Sequence, residues 1–511
     1  MNGGKWGRRT LTFGVALALG LSSCASPAPQ TTAAPSAPTA QAASTPTPTA
    51  KQPFTLPVDT QGTWNPYLGS RSINMTLTPL LYDSLYQLDP AFAPQPLLAQ
   101  GAQVSEDGLT WRVTLKSGVT FSDGTPMDAK AVCAALIAAK GEASLYAQRL
   151  RTVQSITADG ENTVVFRLNS PNKDFLALLD IPIALVAKDG VFGTGRYVTD
   201  GERLTLRADG WQETGGLMTE IGLTRADTAE ELIAAFDDGT LGLTASDPTG
   251  ADAPGFSGSY QTWEYPTSTM LYLGFRNGGG VCRSAEVRAA LSRGIDRSGL
   301  VNGVLGGHAS VATLPVPPTA KKYDQTAAKG LEYDVTAAAE ALDALGFVAG
   351  EDGIRRRGRE ELRLTLLVNA DNNFKGQAAD AIAENLNALG AAVTVTRLPW
   401  EEYKRALERG EFDLYLGECR LTGDFDLTAF FTAGSGLCYG GAPARELADS
   451  FAAARAEGDW SGFFALYAQE PPFVTLCFKT GAVLTRWGEV NGLTPTQGNL
   501  FYRLENWVFQ N

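Results

Sequence analysis

Along this chain the spacing of apolar residues changes period, and each change marks an element. Residues 109–115 (LTWRVTL) alternate Leu, Trp, Val and Leu with Thr, Arg and Thr. A period of two puts successive side chains on opposite faces, which predicts a half-buried strand. Asp107-Gly108 in front of it supplies a hairpin turn. A second turn, Asp123-Gly124, leads to Asp128, whose carboxylate can cap a helix burying Val132, Leu136 and Ile137. Residues 163–168 (TVVFRL) form another strand, ended by Ser170-Pro171-Asn172, and residues 193–211 read as two strands around Asp200-Gly201.

From residue 283 the period becomes helical. Ser284 can cap a helix carrying Val287, Ala290, Leu291 and Ile295, and Asp296 a second one stopped by Gly306-Gly307. Asp334 caps VTAAAEALDAL, with Gly346 just past its end. Residues 362–418 are the most regular stretch: a strand (LRLTLLVN), a helix over 376–389, a strand (AVTVTR), a helix over 401–408 and a strand (FDLYLGE). This β-α-β-α-β order predicts a parallel or mixed sheet with helices on its faces. Ligands of such sheets lie beyond the carboxyl ends of the strands, so the loop ECRLTGDFDLTAFF is the first candidate binding surface.

The amino-terminal 50 residues follow different rules. Lys5, Arg8 and Arg9 precede an apolar run over 11–21, too short to span a bilayer, which needs about 20 residues. The run ends in Leu21-Ser22-Ser23-Cys24, which resembles the lipobox of bacterial lipoproteins, where the Cys thiol is acylated and becomes the first mature residue. Residues 25–50 contain only Ala, Ser, Pro, Gln and Thr, a composition that cannot nucleate a core and behaves as a tether. Signal peptide (1–23), lipidated Cys24 with tether (24–53) and a large body thus place the body outside the cytoplasm, anchored to the membrane by lipid.

Net charge is −13 in 511 residues, which repels phosphate backbones and excludes nucleic acid as a partner. Five cysteines remain after Cys24: Cys133, Cys282, Cys419, Cys438 and Cys477. The odd number and the absence of CxxC exclude a disulfide scaffold. Cys133 reads as a helix-core residue. Cys419 and Cys438 flank one loop, and both the paired and the free state stay open. His308 is the single histidine. Any Ser-His-Asp or Cys-His chemistry would have to use it, and it sits in a Gly-Gly-His-Ala loop. Direct nickel binding would call for several imidazoles, which leaves a metal chelate but not a bare ion as an alternative ligand.

S-x-x-K at Ser170, S-x-N at Ser72 and K-T-G at Lys479 match fragments of penicillin-recognising enzymes, but in the wrong order and without a serine opening a helix. A secreted hydrolase is accordingly disfavoured. The run Arg355-Arg356-Arg357-Gly358-Arg359 is followed by Glu360-Glu361 and reads as a solvated turn beside the Asp352-Gly353 hairpin.

Four segments, in order, resemble the family 5 extracellular solute-binding proteins, the peptide and nickel binders of ABC importers. They are SEDGLTWRVTLKSGVTFSDGTPMDAKAV, EVRAALSRGIDRSGLVNGVLGGHASVATLPVPP, YDVTAAAEALDALGF and LPWEEYKRALERGEFDLYLGECRLTGDFDLTAFF. Val335 stands where that family carries Pro. The resemblance implies an α/β, two-lobed periplasmic-binding-protein-like fold with a hinge and an extra inserted domain. Lobe I takes 54–81, 185–270 and 475–511, the inserted domain 82–184, and lobe II 271–474. It implies a monomer with no cofactor that delivers a small solute, expected to be a short peptide, to an ABC permease and ATPase. A sensing or partner-docking lipoprotein without transport is the other expectation. Peptide binders of the family hold the ligand amino group with an aspartate in the loop that Asp424 occupies; Asp426 is the second choice, because Phe425-Asp426-Leu427 replaces the family's Asp-Pro. Trp400, Phe425 and Tyr439 complete the expected ligand-binding set; Trp400, Tyr415, Phe430, Phe431 and Tyr439 are the aromatics that can line the cleft, with core packing the alternative for each.

Overall fold

Two unusually long strands, Tyr260–Phe275 and Phe473–Arg486, lie antiparallel and tie the protein together. Their pairing shifts register between Pro266 and Met270. On one side of this break Leu243–Ser246 joins the edge of Phe473–Arg486. On the other, Leu414–Arg420 pairs with Tyr260–Phe275 over Thr269–Phe275. The break thus separates the part of the sheet that carries Leu243–Ser246 from the part that carries Leu414–Arg420. In this computed structural model the residues described are 54–68, 73–251, 253–441 and 443–510. The expected signal peptide, Cys24, the expected tether and Ser72 lie outside them.

The second lobe contains the β-α-β-α-β unit. Arg363–Asn369 runs parallel to both Ala392–Leu398 and Leu414–Arg420, and the last of these turns antiparallel against Tyr260–Phe275, so the sheet is mixed. The helix Asn373–Ala388 begins three residues before the expected Gly376, because the Asn372 side chain accepts from the Lys375 amide at 3.0 Å. Leu366, Val368, Ile382, Leu386 and Leu414 are buried together on one face of this sheet. Met270, Tyr272, Tyr415, Phe430 and Phe473 are buried on the other, within an aromatic cluster.

The first lobe is built on Thr55–Val58, Glu220–Arg225, Arg203–Leu206 and Tyr197–Thr199, in that sheet order. The predicted hairpin belongs to a second, antiparallel sheet, ordered Ala99–Val104, Thr110–Leu115, Thr163–Leu168, Val153–Ala158. One continuous core joins the two, with Leu56, Tyr197 and Leu204 packed in the same cluster as Val113, Phe166 and Leu136.

Capping follows the sequence. Asp128, Ser284, Asp296 and Asp334 each accept from a first-turn amide of the helix they precede. Ile137 corrects its expectation. It is 57% exposed, because Ala129, Val132, Leu136 and Ala139 take the inward stripe of Ala129–Ala139 and leave position 137 on the opposite face. Arg355 is another correction. It is buried, donating to the carbonyls of Leu389 and Phe347 at 2.8 Å and pairing with Asp343 at 2.6 Å, while only its neighbours form the solvated turn. Cys419 and Cys438 are free thiols. His308 Nδ1 lies 2.8 Å from Glu264 Oε1, which joins the loop before Ala309–Val311 to the long strand Tyr260–Phe275. Among the described residues no helix is long and apolar enough to cross a membrane.

Candidate functional site

The chain encloses a cleft of about 910 Å³, the size range of small-molecule and peptide sites. One wall is formed by Thr78, Tyr82, Asp83, Arg196, Gln212 and the C-terminal loop 496–505. The turns beside the antiparallel sheet contribute Tyr146 and Arg149, at Ala147–Leu150, and Asp180, just after Phe175–Leu178. The second lobe contributes Arg420, Leu421, Thr422 and Gly423, at the carboxyl end of Leu414–Arg420. The site therefore lies where the β-α-β-α-β order puts it, beyond the strand ends.

Its charged side chains are Asp83, Asp180 and Glu505 against Arg149, Arg196, Arg420 and Arg503. Arg149 donates from Nη1 to Asp180 Oδ1 at 2.6 Å and to the Asp180 carbonyl at 2.8 Å, and its guanidinium stands over the Tyr146 ring. Burial pushes the Asp180 carboxyl above its ordinary range, and Arg149 opposes that shift. Arg196 pairs with Glu505 at 2.9 Å. Asp83 is held by neutral donors. It accepts from Trp211 Nε1 and Thr194 Oγ1 at 2.9 Å and from Gln212 Nε2 at 2.8 Å. Burial raises its carboxyl too, against those three hydrogen bonds. Burial also pushes the Tyr146 and Tyr265 phenols up to about 12, so both stay neutral donors. Arg420 donates to the Gln497 carbonyl at 3.4 Å, and the Gln497 side chain is bonded in turn to Ser268.

The expected ligand residues lie elsewhere. Asp424 is next to the cleft wall but 1% exposed, with both oxygens taken. Oδ1 accepts from Thr422 Oγ1 at 2.6 Å, and Oδ2 from Arg455 Nη2 at 2.5 Å and Asn172 Nδ2 at 3.0 Å. Asp426 pairs with Arg151 at 2.7 Å and Arg455 at 3.1 Å. Phe425 is buried against Phe92, their centroids 5.5 Å apart. Tyr439 packs on Tyr415 beside Phe430. Trp400 opens the helix Trp400–Arg409 on the surface, 49% exposed and stacked on Tyr403. None of the five lines the cleft. Tyr415, Phe430 and Phe431 are core residues. Most of the residues that do line it, among them Arg149, Asp180 and the loop 496–505, lie in stretches that carry no motif. The usable signal was the loop already singled out, which supplies Arg420, Leu421, Thr422 and Gly423.

Comparison with known proteins agrees with this architecture. A family model described as "Bacterial extracellular solute-binding proteins, family 5 Middle" matches residues 93–439. The chain is similar to Protein XP55 of Streptomyces lividans, 27% identical over 72% of each chain. It is also similar to the probable D,D-dipeptide-binding periplasmic protein DdpA of Escherichia coli, 25% identical over 63% of this chain and 64% of that one. A nickel ABC transporter structure from Bacillus halodurans superposes with a TM-score of 0.70 at 20% identity, over 88% of this chain and 97% of that one. The chain belongs to the bacterial extracellular solute-binding proteins of family 5, which bind solutes for ABC importers and are not enzymes.

Proposed function

We propose that this protein is a lipid-anchored, monomeric receptor that captures a short peptide outside the cell and presents it to an ABC permease and its ATPase. The observation that carries the peptide reading is the mixed chemistry of the cleft wall. Opposite charges stand beside Tyr146, Tyr265, Gln212, Thr422 and Gln497, whose neutral donors and acceptors match peptide amides. A zwitterion with amide links between its ends uses all three kinds of group, whereas an apolar solute would leave buried polar groups unpaired. The similarity to a probable dipeptide-binding protein supports the same reading. The Cys24 lipobox and the tether support anchoring.

The test is calorimetric titration of the chain from residue 54 with a mixed di- to pentapeptide library, followed by the best single binder. Saturable binding of a peptide supports the reading. Binding of nickel chelates with no peptide binding would overturn it.

A further inference from the structure

We propose that Asp424 is a positioning residue, which clasps the cleft wall 420–423 to the segment 172–177 and does not take the ligand's amino group, so that amino-blocked peptides bind as well as free ones. The ligand half of this inference rests on the peptide reading above; the clasp does not.

Four observations support it. The first is saturation. An incoming ammonium would have to displace Arg455 or Asn172 from a carboxylate that is enclosed on all sides. Arg455 is itself immobilised. It holds Asp426 as well, and its carbonyl accepts from the Lys173 amide at 2.9 Å.

The second is charge. Asp174 pairs with Lys322 at 2.5 Å, so the cluster holds three carboxylates (Asp174, Asp424, Asp426) and three cations (Arg151, Lys322, Arg455). It is neutral as it stands and carries no surplus negative charge to attract a ligand cation.

The third is direction. The bonds Asn172–Asp424, Arg151–Asp426 and Asp174–Lys322 all run from the region of the antiparallel sheet to the second lobe. They join segments more than a hundred residues apart, as a fastening does.

The fourth is close packing of backbone. A Cβ on Gly423 would collide with the carbonyl of Ala177, so wall and segment meet main chain to main chain. Phe92 (φ 58°) and Phe425 (φ 55°), two bulky residues at positive φ, meet in the same seam. Such backbone persists only where the surroundings over-determine it.

The experiment has a ligand-free arm and a ligand arm, on wild type, Asp424→Asn and Asn172→Ala. Amide hydrogen exchange over 172–177 and 420–426 should speed up by about tenfold or more in both variants, because the seam opens locally at lower free energy. By calorimetry, free and N-acetylated forms of the best peptide should bind wild type within about threefold of each other, and each variant should weaken both forms by the same factor, on the order of tenfold. Acetylation that weakens wild type strongly, with Asp424→Asn erasing the difference, would overturn the proposal. If no peptide binds wild type, the peptide reading fails and the exchange arm alone decides: protection unchanged in both variants overturns the clasp. Should Asp424→Asn not fold, Asn172→Ala carries both arms.

Discussion

Phe92 and Phe425 meet edge to face with 5.5 Å between ring centroids, each held at a positive φ that bulky side chains avoid. Leu88 packs in the same aromatic cluster, so residues 88–92 plug into the core of the second lobe. Phe92→Ala should destabilise the protein by about 3–5 kcal/mol, the range for a buried aromatic truncated to Ala. Phe92→Gly should be milder than Phe92→Ala by about 1 kcal/mol, since Gly adopts positive φ without strain. Urea unfolding of the two variants checks the order.

Gly423→Ala should destabilise by about 1–3 kcal/mol, the usual penalty for overpacking, because the Ala177 carbonyl leaves no room for a methyl group. Gly101, in the strand Ala99–Val104, has nothing within 4 Å of a Cβ position and serves as the control. Its Ala variant should unfold within about 0.5 kcal/mol of wild type.

Arg149→Met should weaken the best peptide and lower the melting temperature together. It removes two hydrogen bonds to Asp180 and leaves that partly buried carboxylate without its contact cation. Loss of a hydrogen bond to a charged group amounts to about 1.5–3 kcal/mol. Calorimetry and thermal unfolding on the same preparation measure both effects. A change in neither would show that the pair is idle.

Asp83 predicts a pH dependence of definite sign. Burial raises its carboxyl in the folded state above the unfolded value of about 3.9. The folded form then binds the proton more tightly, so this group's contribution is most favourable at low pH and is lost as pH rises from the unfolded toward the folded pKa. Asp83→Asn lacks that loss. The stability of wild type minus variant should therefore fall as pH is raised above about 4 and then level off. Melting temperatures at closely spaced pH values measure it, and a difference that grows with pH would contradict the sign.

Cys24→Ala should move the protein from the membrane to the soluble fraction or leave it as an unprocessed precursor. Detergent partitioning, with mass spectrometry of the amino-terminal peptide, reads the outcome. Unchanged partitioning with no lipid on Cys24 would remove the anchor from the proposed function.

Local signals in the sequence were legible where one residue decides a conformation. Asp128, Ser284 and Asp334 cap as expected, and Asp107-Gly108 and Asp200-Gly201 turn their hairpins. The strand and helix order of residues 362–418 singled out the strand end whose residues 420–423 line the cleft. The failures concern partners that only folding brings together. Nothing near Asp424 in sequence reveals that Asn172, 252 positions away, and Arg455 fill its lone pairs. Likewise nothing in the sequence around Asp180 announces its pairing with Arg149. Ile137 failed for a simpler reason. In an Ala-rich helix the small residues suit the inward stripe, and the periodicity of large side chains no longer marks the buried face.

The single imidazole of this chain sits against Glu264, at the meeting of the two strands that carry the chain between lobes. One residue-specific isotope label would therefore give a one-line nuclear magnetic resonance spectrum whose signal comes from that junction and nowhere else. Any solute that alters the seating of Tyr260–Phe275 against Phe473–Arg486 near Glu264 would shift that line without an added dye.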